Sequence, residues 1–150
     1  MNDLRELYQE VILDHNKHPR HFGTLKDATH QAQGKNPLCG DEVTIYLKVN
    51  DGKIEDVSFE GHGCAISTAS ASLMTEALLG KTLEEAEALF QTFHTLITGS
   101  SPPKEVPGKL AVFAGVRDYP TRVKCAILAW HTLEAALAGK TQAVSTEEIS

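Results

Sequence analysis

Three cysteines, one tryptophan and no long apolar run are what this chain of 150 residues has little of. A membrane helix needs about 20 consecutive apolar residues, and the longest apolar stretch here, at 126–130, falls far short. The first residues, including Asp3, Arg5 and Glu6, are charged and lack the apolar centre of a secretion signal, so a cytoplasmic protein is expected. No lysine or arginine cluster exists, and the net charge is −6. A nucleic-acid binder would carry a basic face, so proteins and small molecules are the expected partners, with neither nucleic acid nor membrane. There is no Cys-x-x-Cys pair, which excludes ribbon- and finger-type structural zinc sites. There is also no His-x-Glu with Pro-Cys-x-x-Cys, which argues against a zinc deaminase. Repeats and low-complexity linkers are missing too. One domain over 1–140 with a loose tail over 141–150 is expected. At 150 residues the chain is long enough to bury a core without staples.

What is present reads as α+β. Leu4, Leu7, Tyr8, Val11 and Ile12 share one stripe at the helical period, and Pro19 should end that helix near His18. Val43, Ile45, Leu47 and Val49 alternate with Thr44, Tyr46 and Lys48, the pattern of a half-buried strand. Asn50-Asp51-Gly52 is a hairpin turn, and a second strand follows over 54–60. Its apolar phase slips between Ile54 and Val57, which suggests a bulge. A third strand is expected over 29–33. Helices are expected over 65–79, over 83–96 behind a Thr82/Glu85 capping box, briefly over 105–116, and from Pro120 to Gly139. The fold expected is a small antiparallel sheet of about three strands packed against several helices.

The cysteines stand in telling places. Three unrelated buried thiols would satisfy the bare count, but the contexts differ from that. Cys39 lies in Asn36-Pro37-Leu38-Cys39-Gly40-Asp41, and in extended chain Cys39 and Asp41 point the same way. A thiolate and a carboxylate can then reach one ion. Cys64 follows Gly61-His62-Gly63 at the start of a helix, where unpaired amides and the positive dipole end favour a thiolate. Cys125 is one turn into the last helix, with Arg122 three residues earlier on the same face. Three thiolates and a carboxylate form a tetrahedral donor set of the kind zinc accepts, with Asp41 the harder ligand. His62 is expected as a solvated loop residue, His131 lies on a different helix face from Cys125, and His15, His18 and His21 are expected on a solvated edge.

These three segments, Asn36 to Asp41, Gly61-His62-Gly63-Cys64-Ala65-Ile66-Ser67 and Arg122-Val123-Lys124-Cys125-Ala126, together resemble the U-type iron–sulfur assembly proteins. The scaffold branch, IscU, carries histidine immediately before its last cysteine, where this chain has Lys124. That branch also has a shorter segment between its second and third cysteines. On both counts the chain is similar to the SufU branch. The resemblance implies a SufE/IscU-like fold and a zinc-dependent sulfurtransferase serving a SufS-type cysteine desulfurase, with a downstream iron–sulfur assembly scaffold as further partner. It implies Cys39 as the sulfur acceptor, Arg122 beside the site, and Cys39, Asp41, Cys64 and Cys125 as zinc ligands. It also implies that a partner histidine displaces Cys39 from zinc on docking. The alternative it leaves open is an IscU-like scaffold carrying a [2Fe–2S] cluster or iron on the same residues.

Overall fold

The alternating run at 43–49 becomes the central strand of the sheet. In the structure, a computed structural model that describes residues 2–37, 40–98, 108–139 and 144–145, strand β2 (Asp41–Asn50) pairs antiparallel with β1 (His30–Asn36) on one side. It pairs antiparallel with β3 (Lys53–His62) on the other. Val43, Ile45 and Leu47 are buried on the core face, because successive side chains alternate between the faces of a strand. Asp51 and Gly52 both have positive φ, as the tight two-residue hairpin turn requires. Lys48 pairs with Asp56 and Val49 with Ile54, leaving Glu55 as an extra residue on β3. That is the bulge signalled by the slip in apolar phase. The first strand starts near its expected position but runs on to Asn36, carrying the pairing up to Asp41. A short β4 (Val144–Ser145) lies parallel to β1 at Gly34 and Lys35, giving the order β3-β2-β1-β4. Residues 141–143 and 146–150, the rest of the expected tail, lie outside the described residues.

Among the described residues, four α-helices complete the α+β fold: α1 (Asn2–Lys17), α2 (Ala65–Leu78), α3 (Leu83–Thr98) and α4 (Pro120–Leu137). A 3₁₀ helix, Gly108–Asp118, takes the place of the short helix expected at 105–116, of which 105–107 lie outside the described residues. The Thr82/Glu85 capping box is formed: Thr82 N donates to Glu85 Oε1 at 2.9 Å and Glu85 N to Thr82 Oγ1 at 3.1 Å. The bond from the Thr82 backbone amide, with the Thr82 side chain adding to it, holds the Glu85 carboxyl below its ordinary value. Among the described residues no helix is long and apolar enough to cross a membrane.

The core sits between the sheet and α4, which packs on β1, β2 and α2. Trp130 is wholly buried and stacked on Phe93 with ring centroids 4.5 Å apart; Phe113 meets Phe93 edge-on at 5.6 Å. Gly34 sets how close β1 comes to α4. A Cβ there would overlap Thr132 Oγ1 and stand 3.1 Å from Leu128 Cδ1. On the outer edge of β3, His21 O and Gly23 N bond Phe59, and Lys81 O and Gly80 N bond Ile54. The edge strand is thereby blunted against pairing with another chain.

One expectation about the histidines needs correction. His18 and His21 are exposed, but His15 is 0% exposed. It lies one helical turn after Val11, on the side of α1 that meets α2. There its Nδ1 is 2.7 Å from Ser72 Oγ, and its Nε2 is 3.6 Å from Glu76 Oε1. The small Ser72 leaves room for an imidazole, which the pattern of residues 15–21 alone did not reveal.

Candidate metal centre

Three donors predicted from sequence come together. One donor atom from each of Asp41, Cys64 and Cys125 lies within 4.8 Å of the other two. Each arrives by a different route. Asp41 opens β2, paired with Asn36 across the sheet, and Gly40 N donates to Asn36 O at 2.8 Å, which closes the chain tightly before the strand. Its carboxylate is 1% exposed. Cys64 is the N-cap of α2 in extended conformation, and its sulfur accepts from Ser67 N at 3.4 Å. This is the work a cap residue does for an otherwise unpaired amide. Cys125 is 3% exposed, in the second turn of α4.

A carboxylate this deeply buried needs partners. Asp41 Oδ1 accepts from Cys64 N at 2.9 Å, and Cys64 Sγ lies 3.6 Å from Asp41 Oδ2. The Cys125 side is fixed differently. Ser70 Oγ donates to the carbonyl of Ala126 at 2.6 Å, and Trp130 Nε1 donates to Ser70 Oγ at 3.1 Å. This buried chain of hydrogen bonds ties α2 to α4 next to Cys125. Sequence reading places Trp130 in the last helix but misses Ser70 and the bond between them; the lone tryptophan was the signal that could have pointed to it.

The remaining predicted site residues stand as follows. Cys39 lies outside the described residues. Arg122 is exposed in the first turn of α4, three residues before Cys125, and Lys124 is half-buried. His62 is exposed, with Nε2 2.8 Å from Glu42 Oε2. Glu42 in turn lies 3.9 Å from Lys35 Nζ. His131 faces Phe90 and His94 rather than the cysteines, with ring centroids 5.4 and 6.3 Å away.

Two thiols and one buried carboxylate, converging where a strand and two helices meet, suit a thiophilic divalent ion. The family model of the NifU-like N-terminal domain matches residues 7–126. The chain belongs to that family. It is 43% identical over 138 residues to the iron–sulfur cluster assembly scaffold protein IscU of Streptococcus pyogenes, covering 91% of this chain and 86% of that one. It is 39% identical over 137 residues to the zinc-dependent sulfurtransferase SufU of Bacillus subtilis, covering 91% and 92%. The crystal structure of FiSufU from Fervidobacterium islandicum AW-1 superposes with a TM-score of 0.82 at 43% identity, over 88% of this chain and 97% of that one. Relatives within this NifU-like family thus carry both scaffold and sulfurtransferase names.

Proposed function

We propose that this chain is a zinc-dependent sulfurtransferase that takes persulfide sulfur from a SufS-type cysteine desulfurase for iron–sulfur cluster assembly. The observation that supports it most is the buried Asp41 carboxylate set against the Cys64 and Cys125 sulfurs. In this reading Asp41, Cys64 and Cys125 hold zinc together with Cys39, which stands two residues before Asp41. Lys124 supports the transfer reading over the scaffold one. The residue before Cys125 is a lysine, which cannot ligate while protonated.

Bound zinc would keep thiol ligands deprotonated at neutral pH. The transfer itself needs a nucleophilic thiolate at Cys39. Its sulfur attacks the outer sulfur of the desulfurase persulfide, a new S–S bond forms at Cys39, and the old S–S bond breaks. The electron pair leaves on the desulfurase cysteine as thiolate, with no net oxidation. Arg122, exposed beside the first turn of α4, supplies a fixed positive charge that favours anionic sulfur species near the centre.

A scaffold role is the second reading, favoured by the similarity to the streptococcal IscU protein. Elemental analysis of the purified chain, paired with desulfurase turnover, separates the two. About one zinc per chain, with turnover stimulated by the wild type and not by Cys39→Ala, is expected for the transferase. Iron with sulfide, or a zinc form that leaves turnover unchanged, would replace it with the scaffold.

A further inference from the structure

Two glycines flank His62 ahead of Cys64, and they are glycines for different reasons. Gly61 has φ +141°, a conformation that side-chain-bearing residues avoid. A Cβ on it would also run into the backbone carbonyl of Glu42. Gly63 has no left-handed φ to explain it. The three atoms nearest a Cβ built on Gly63 all belong to Asp41: Oδ1 at 2.7 Å, Cγ at 2.9 Å and Cβ at 3.2 Å. Gly63 is otherwise exposed. No positive φ bars an alanine here, but the Asp41 carboxylate would have to give way to one.

We infer that Gly63 is a positioning residue for the metal centre, because its missing side chain is the space that lets the Asp41 carboxylate lie against the backbone just ahead of Cys64. Flush against that backbone, Oδ1 reaches the Cys64 amide at 2.9 Å. That engagement turns the other oxygen, Oδ2, toward the Cys64 sulfur. Asp41 therefore has one oxygen committed to the chain and one left for an ion. The same hydrogen bond ties the carboxylate to the residue that supplies the next thiol, so the two donors move as one unit. With a methyl group at position 63, the carboxylate must withdraw by several tenths of an ångström, which lengthens or breaks the bond to Cys64 N and misdirects Oδ2. Side chains at metal sites depend on such supporting contacts for orientation, and losing one typically costs 10- to 100-fold in affinity.

This inference rests on the metal reading above, and its test includes a readout that needs no metal. Hydrogen exchange at the Cys64 amide is measured in the metal-stripped wild type and Gly63→Ala, and zinc affinity by competition with a chromophoric chelator. Gly63→Ala should speed exchange at Cys64 by about tenfold or more and weaken zinc about 10- to 100-fold, with the thermal midpoint and far-UV circular dichroism near wild type. In an Asp41→Ala background the same glycine substitution should add nothing to either readout, since the group it displaces is gone. Unchanged Cys64 exchange in Gly63→Ala would overturn the inference, and so would a glycine penalty that persists undiminished without Asp41. If the wild type binds no zinc, the metal reading fails, and the Cys64 exchange data still decide whether Gly63 positions Asp41.

Discussion

The two flanks of the candidate centre are built on opposite terms. Cys125 sits in the second turn of α4, 3% exposed, within a buried region where Trp130, Ser70 and the Ala126 carbonyl lock two helices together. Asp41 and Cys64 sit where a strand begins and a helix begins, with glycines at 40, 61 and 63 and a half-exposed thiol. The first flank is fixed by packing. The second is fixed by a few hydrogen bonds to backbone amides that would otherwise be unpaired.

The contrast should be broken most severely from the core flank. Trp130→Ala removes a wholly buried ring stacked on Phe93 and should cost about 3–5 kcal/mol. That is a large share of the roughly 5–15 kcal/mol available to a typical domain, and denaturant unfolding measures it. Ser70→Ala leaves the Trp130 indole N–H and the Ala126 carbonyl without this partner, and should cost about 1–3 kcal/mol. A loss below about 0.5 kcal/mol in that variant would show that the helix–helix lock is not sustained in solution.

On the Asp41–Cys64 flank the order of effects reverses. Asp41→Ala should weaken zinc by at least about 100-fold, since losing an outer supporting contact alone costs ~10–100-fold, while lowering stability by only about 1 kcal/mol through the freed Cys64 amide. Stripping zinc with a chelator should accelerate hydrogen exchange around Cys64 to Ser67 and leave cooperative unfolding in place. Global unfolding on chelation would mean the metal is structural.

Away from both flanks, His131 tests the core by pH. Burial, with the nearby His94 adding to it, lowers its pKa from 6.5 to about 4. The unfolded chain takes up a proton on His131 near pH 6.5, and the folded chain does not until near pH 4. Stability should therefore fall as pH drops through that window and level out below it. His131→Gln should flatten the fall, an effect of about 1 kcal/mol once partial exposure is allowed for. The smallest effect belongs to Glu42→Ala. It removes an exposed pairing with His62 and should change stability by less than about 0.5 kcal/mol.

Much of this architecture was legible in the residues. Alternation at 43–49, the Asn50-Asp51-Gly52 turn and the Thr82/Glu85 box are local signals, and each formed where its short-range physics places it. The bulge at Glu55 was visible as a phase slip. Convergence of positions 41, 64 and 125 was suggested by thiolate-favouring contexts at separate element ends and made specific by the family resemblance, because no local spacing links β2, α2 and α4. Buried His15 was misread for a related reason. It falls on the α1 stripe one turn after Val11, but its polar partner Ser72 is 57 residues away, and a stripe alone does not show that a buried imidazole will find a partner. Ser70 went unnoticed likewise, as one more small residue in a helix full of them.

The route by which the three donors meet also bears on how the chain folds. The β2–β3 hairpin and the Cys64 cap are joined by short loops, and local closures of that kind are entropically cheap and fast. Asp41 and Cys64 can thus find each other early. Cys125 joins them only when α4 docks on the sheet through the Gly34–Thr132 contact, closing a loop of about sixty residues. Until that late step a nascent or partly unfolded chain offers an ion only part of the donor set, so tight metal capture marks a chain that has finished folding.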